Sequence, residues 1–80
     1  MHLRVTKLAD GPGPGEVVVE VTTITGATEQ VVVHVSGMVG DTIDVGHPLA
    51  SGEEQQLIEL PRESTSGKWR LWVPQSDMVE

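Results

Sequence analysis

Apolar and polar side chains alternate along much of this chain, most clearly in its valine-rich first half. A period of two is typical of β-strands with one buried face, because successive side chains on a strand point to opposite sides. Valine supplies most of the apolar positions, and its branched Cβ favours an extended backbone over a helix. The pattern therefore predicts an all-β chain.

Segments that fit this pattern are predicted to be strands, and they are His2–Leu8, Glu16–Ile24, Glu29–Ser36, Thr42–Val45, Gln55–Leu60 and Lys68–Val73. The more apolar side of each segment is expected to face a core. The apolar residues on that side are Leu3, Val5, Val17, Val19, Val21, Val31, Val33, Val35, Ile43, Val45, Ile58, Leu60, Trp69, Leu71 and Val73.

Glycine and proline separate the predicted strands. The alternating Gly-Pro stretch at 11–15 is predicted to be a loop, because proline cannot donate to a strand ladder. A short turn around Gly26 predicts a hairpin between the second and third strands. Gly37 and Gly40 bracket a predicted turn or bulge. Ser51 to Glu54 has the spacing of a helix capping box, although Gly52 disfavours a helix there.

The 80 residues are predicted to form one domain, with a frayed tail at 75–80. No segment between strands is long enough for a crossover helix, so the strands are expected to be antiparallel. We predict a small β-sandwich of about six strands, immunoglobulin-like in type, packed as two sheets. A small, partly open β-barrel is the alternative that the strand spacing also allows.

The acidic composition limits the partners that the chain can take. Its net charge of −7, with only five lysines and arginines, opposes binding to nucleic acid and to anionic membrane surfaces. The absence of cysteine excludes disulfides and thiolate metal sites. The sequence shows no leader pattern and no membrane-length apolar run, which favours a cytoplasmic location.

The two tryptophans are the most informative side chains. Trp69 alternates with Leu71 and Val73, so it is predicted to lie in the core. Trp72 alternates with Lys68 and Arg70, so these three are predicted to share an outward face. An outward tryptophan is suited to a protein interface or to stacking on a sugar, but it can also simply cover the edge of a small core.

Other candidate chemistry is weak. His2, His34 and His47 lack ligand spacing, and Asp41 and Asp44 lack the oxygen density of a calcium loop, so no metal or other cofactor is predicted. Glu20 and His34 are the remote candidates for an acid–base pair across the predicted hairpin.

The sequence therefore predicts a non-enzymatic interaction or structural module with Trp72, Arg70 and Lys68 as its binding residues. The alternative is a small-ligand module that binds carbohydrate on Trp72. An uncovered valine-rich edge strand would also allow strand addition, either by a second copy or by an extended peptide of a partner protein.

Overall fold

Short strands make up most of the fold. A computed structural model describes residues 1–80. Its strands are β1 (His2–Arg4), β2 (Thr6–Asp10), β3 (Glu16–Thr22), β4 (Thr28–His34), β5 (Met38–Val39), β6 (Thr42–Asp44), β7 (Ala50–Gly52), β8 (Gln55–Glu59), β9 (Arg70–Pro74) and β10 (Met78–Val79). Single 3₁₀ turns at Val35–Gly37 and Gln75–Asp77 are the only helical segments. The prediction of an all-β chain is confirmed.

The strands form three antiparallel sheets in the orders β10-β1-β6-β5, β2-β3-β4 and β7-β8-β9. No sheet closes on itself, and the arrangement is that of a small sandwich-like fold. The sheets number three because the first predicted strand divides at Val5, whose N–H donates to the carbonyl of Asp41 (2.8 Å). β1 therefore joins one sheet and β2 another. The immunoglobulin-like type stays a prediction.

The hairpin of β3 and β4 is the longest ladder in the molecule. Val17, Val19 and Val21 alternate with half-buried residues on β3 and are themselves buried. They face Val33, Val31 and Glu29 of β4 in register. Because β-branched side chains pack well on a pleated surface, the two strands form one wall of the core. The predicted hairpin is thus confirmed.

Thirteen buried apolar residues form one continuous core, and all of them belong to the predicted inward set. They are Leu3, Val5, Val17, Val19, Val21, Val31, Val33, Ile43, Val45, Ile58, Leu60, Leu71 and Val73. Two members of the predicted set are wrong. Val35 is 48% exposed because β4 ends at His34 and the chain turns there, and Trp69 is also exposed.

The predicted tail at 75–80 includes a 3₁₀ turn at Gln75–Asp77 and the short strand β10. Met78 and Val79 form β10, which pairs with Leu3 and His2 of β1. Met78 also packs against the core. A strand this short leaves too few positions for an alternating pattern to show in the sequence. β10 depends on its pairing with a strand near the other end of the chain.

Two further local predictions change in the structure. The segment with capping-box spacing forms the β7–β8 hairpin instead of a helical turn, with Glu54 in the left-handed region (φ 56°). Met38 and Val39, predicted as a turn or bulge, form β5, and the turn itself falls at Gly40 and Asp41. The structure contains no helix of the length and apolarity needed to cross a membrane.

Candidate functional site

The outer face of the β7-β8-β9 sheet carries two of the three predicted binding residues, Arg70 and Trp72, and Lys68 lies in the loop just before β9. On β9, Leu71 and Val73 are buried while Arg70 and Trp72 are exposed, as the alternation predicts. Trp72 pairs with Leu57 of β8, which pairs in turn with Ala50 of β7. Residues paired across a ladder lie on the same face of a sheet. These three side chains therefore form an apolar row. We use the name Trp72 face for this row together with Lys68 and Arg70.

The tip of the β3–β4 hairpin extends this face. The Ile24 N–H donates to the carbonyl of Trp72 (2.9 Å), which places the tip against the free edge of β9. Ile24 is 41% exposed and Trp72 is 37% exposed. A shallow, open groove of about 260 Å³ lies between them, lined by residues of the segments 23–29 and 68–72. The structure thus brings Lys68, Arg70 and Trp72 to the same groove.

Both cations of the Trp72 face are matched by carboxylates. Arg70 Nε lies 3.2 Å from Glu59 Oε2, and Lys68 Nζ lies 3.8 Å from Glu29 Oε2. Because the lysine and arginine side chains are mostly exposed, these pairs contribute little to stability. They do neutralise the border of the apolar row, so the face offers no free basic charge to a phosphate or a nucleic acid.

Glu29 anchors the loop that leads to this face. Its buried carboxylate accepts hydrogen bonds from the hydroxyls of Ser66 and Ser64, the latter at 2.9 Å. These hydrogen bonds lower the pKa of Glu29 below its ordinary value, and the bond from Ser66 has the largest effect. Burial opposes the lowering, and the charge of Lys68 adds to it. Ser64 Oγ also accepts the Lys68 N–H (3.0 Å). We call these four residues the Glu29 clamp.

Trp69 is the clearest wrong prediction. It is 50% exposed, and its indole Nε1–H donates to Glu63 Oε2 (2.9 Å). β9 begins at Arg70, so Trp69 stands just before the strand, although its carbonyl still accepts the Leu60 N–H. The indole N–H needs a hydrogen-bond partner, and the aliphatic core has none to offer. The protein therefore has two partly exposed tryptophans instead of one.

A second groove lies along β4 and was not predicted. It has a volume of about 280 Å³, an apolar floor and a polar rim. On the rim, Arg62 Nη1 lies 2.7 Å from Glu16 Oε2. Glu16 is the residue opposite His34 in the β3–β4 ladder. The only sequence signal was the alternation that put Glu16 and His34 on the outward side of their strands. Arg62 lies in a polar loop that carried no signal.

The candidate acid–base pair is not formed. Glu20 is opposite Gln30, and His34 is opposite Glu16, so Glu20 and His34 are separated by roughly 13 Å along the ladder. His34 instead accepts the Ser36 N–H at Nδ1 (3.1 Å), a capping contact for the 3₁₀ turn that follows β4.

The other polar candidates lie apart. No group of three or more histidine, aspartate or glutamate side chains is placed to hold a metal ion. Asp44 is exposed and caps a turn by accepting the Gly46 N–H (2.8 Å), which lowers the pKa of its carboxyl. Asp41 lies in the turn between β5 and β6.

Comparisons of the chain with protein-family models, with curated proteins and with solved structures find no match.

Proposed function

We propose that the chain is a non-enzymatic protein-interaction module and that its contact surface is the Trp72 face. One observation carries the proposal: Trp72 is 37% exposed at the end of an apolar row that continues through Leu57 to Ala50. A contiguous apolar area that is open to solvent is a common sign of a protein-interaction surface. The absence of cysteine is compatible with a reducing compartment such as the cytoplasm, where we place this module.

The composition of the Trp72 face suits a protein partner. Tryptophan and arginine are enriched at the centres of interfaces, where they contribute most of the binding free energy. Trp72 offers a rigid indole with few rotatable bonds, and the Ile24 side chain extends the apolar area beyond it. The ion pair of Arg70 with Glu59 supplies a polar border of the kind that surrounds such centres.

The face is also held in shape before binding. Lys68 lies at the end of the loop that the Glu29 clamp fixes, and β9 begins two residues later. Ile24 is tied to the backbone of Trp72. A surface that is already ordered loses less conformational entropy when a partner binds.

The test uses the two tryptophans as a matched pair. Biotinylated wild type, Trp72→Ala and Trp69→Ala are used to capture proteins from a lysate of the source organism. The proposal expects one or more proteins that wild type and Trp69→Ala retain and that Trp72→Ala loses. Equal retention by all three, after circular dichroism has shown that each is folded, would count against the proposal.

A second candidate function is carbohydrate binding at the groove beside Trp72. It is favoured by the polar groups that share that groove with the indole, which include Thr23, Thr25 and Glu29. An aromatic ring bordered by hydroxyl and carboxylate groups can stack on a sugar and hydrogen-bond to it. The Trp69→Phe variant leaves Trp72 as the sole tryptophan, so titration with a glycan panel should change its emission. Unchanged emission throughout the panel would exclude this candidate.

A further inference from the structure

The outer edge of β4 has backbone groups with no partner in the chain. Val35 N–H donates to Gly15 O, and Thr23 N–H donates to Ala27 O, which fixes the hydrogen-bonded pairs of the β3–β4 ladder. Since these pairs alternate along an antiparallel ladder, the Val32 N–H and C=O and the His34 N–H point away from β3, while the His34 carbonyl begins the 3₁₀ turn that follows. β4 is the last strand of its sheet.

A neighbouring segment covers this edge at one end only. Thr65 N–H donates to the carbonyl of Gln30 (2.8 Å), which is the one backbone hydrogen bond that the neighbouring loop makes to β4. Towards His34 the segment diverges, because Pro61 has no N–H and Arg62 turns its guanidinium to Glu16. The groove of about 280 Å³ opens in this gap.

The floor and rim of the groove differ in chemistry. Val33 and Ile43, which belong to the core, line it from below, and Pro61 forms a side. Asp44 stands on the rim and forms no ion pair with any lysine or arginine. The Arg62 charge is already matched by Glu16. The groove therefore combines unpaired backbone groups, an apolar floor and one carboxylate without a lysine or arginine partner.

We propose that this groove binds an extended peptide of a partner protein, which adds as a strand to β4 at Val32–His34, places an apolar side chain on the floor and directs a cationic side chain to Asp44. Main-chain hydrogen bonds to an open edge supply affinity in this mode, and pockets for alternate side chains supply specificity. The site is separate from the Trp72 face and does not depend on the function proposed for it.

A single peptide strand fits better than a second copy of the chain. Two copies would each bring a net charge of −7, which opposes their association. The open stretch of edge is also short, because Thr65 limits it at one end and the 3₁₀ turn Val35–Gly37 at the other. A second folded copy would have to fit its own sheet into that gap, whereas one extended chain needs only its own width.

The experiment titrates the ¹⁵N-labelled protein with the peptide acetyl-Lys-Thr-Val-Thr-Val-Thr-Lys-amide, whose valines and lysines share one face. Exchange of the Val32 and His34 amide hydrogens is followed by NMR. At a peptide concentration about ten times the dissociation constant, their exchange should slow about tenfold. A control peptide with N-methyl groups on its five central amides keeps the side chains but cannot donate, and it should give no protection.

Two protein variants sharpen the result. Asp44→Asn keeps the oxygen that accepts the Gly46 N–H but removes the charge, so it should weaken binding of this peptide severalfold. It should leave binding of a version with serine in place of both lysines unchanged. Trp72→Ala should bind the peptide like wild type, which separates this site from the Trp72 face.

Each contrary outcome is distinct. Saturating peptide without slower exchange at Val32 and His34 would overturn the proposal, as would equal protection by the N-methylated control. Protection of these amides that increases with protein concentration in the absence of peptide would show that the occupant of the groove is a second copy of the chain. Loss of peptide binding in a folded Trp72→Ala variant would show that the peptide binds to the Trp72 face and not to the groove along β4.

Discussion

The β3–β4 hairpin and the loop from Pro61 to Trp69 that packs beside it are held in place by different interactions. The hairpin buries alternate valines, and its register follows from which side of each strand is apolar. The loop has no buried apolar side chain, and the Glu29 clamp fixes it through hydroxyls that contact one carboxylate. The burial of apolar residues can be predicted from the local alternation of the sequence. A polar clamp cannot be predicted in this way, because it joins residues that are far apart in the sequence.

The largest expected effect is in the hairpin. Val31→Ala removes two methyl groups from a fully buried site, and we expect the free energy of unfolding to fall by about 2–4 kcal/mol because the lost burial leaves a cavity. Urea denaturation followed by circular dichroism measures it. Val39→Ala, at a position 68% exposed, is the matched control and should change stability by less than about 0.5 kcal/mol. Equal losses at both sites would contradict the core assignment.

The next effect tests the clamp. Glu29→Gln keeps the shape of the side chain but removes the charge that the Ser64 and Ser66 hydroxyls stabilise. We expect a loss of about 1.5–3 kcal/mol, the range for hydrogen bonds to a charged group. Glu53→Gln, an exposed turn residue without an ion pair, should be nearly neutral in the same urea titration. A neutral Glu29→Gln would show that the charge at the centre of the clamp adds nothing to stability.

The lowered pKa of Glu29 predicts that the difference in unfolding free energy between wild type and Glu29→Gln depends on pH. Since folding lowers this pKa, the ionised carboxylate stabilises the fold above the ordinary glutamate value of about 4.3. That stability is lost as the pH falls through the lower, folded value. The difference in unfolding free energy between wild type and Glu29→Gln should therefore be constant near neutrality and shrink below pH ~4.3. A difference that stays constant down to pH ~2 would contradict the assignment.

The smallest effect is expected at the border of the Trp72 face. Arg70 and Glu59 form an exposed pair, so a double-mutant cycle with Arg70→Ala and Glu59→Ala should give a coupling below about 1 kcal/mol. Thermal or urea unfolding of the four proteins measures it. A larger coupling would mean that the outer face contributes to the fold, which would weaken the case that it is free for a partner.

Much of the fold follows from alternation, and the exceptions have physical reasons. Every core residue lies in a predicted inward position, because burial of one face fixes the period of two. β5, β7 and β10, of two or three residues each, were not predicted because no alternation of apolar and polar residues marks their segments. The prediction for Trp69 was wrong because the alternation of apolar and polar residues extends one residue to the N-terminal side of β9, which begins at Arg70.

The candidate site was only half predictable. Alternation placed Lys68, Arg70 and Trp72 on one outward face, and the structure brings them to one groove. Their carboxylate partners were missed because Glu29 belongs to a distant hairpin. Glu59 had a readable signal, since pairing the fifth and sixth predicted strands as a hairpin would have set it opposite Arg70. The groove along β4 depends on where a loop diverges, which no local pattern records.

The most direct measurement of the central claim is calorimetric titration of a captured and purified partner with wild type, Trp72→Ala and Trp69→Ala. Trp72→Ala should weaken binding at least about 30-fold, as expected for an interface residue worth 2 kcal/mol or more, while Trp69→Ala should stay within about twofold of wild type. Equal affinity of the Trp72→Ala and wild-type proteins would contradict the claim that this chain binds its partner through the Trp72 face.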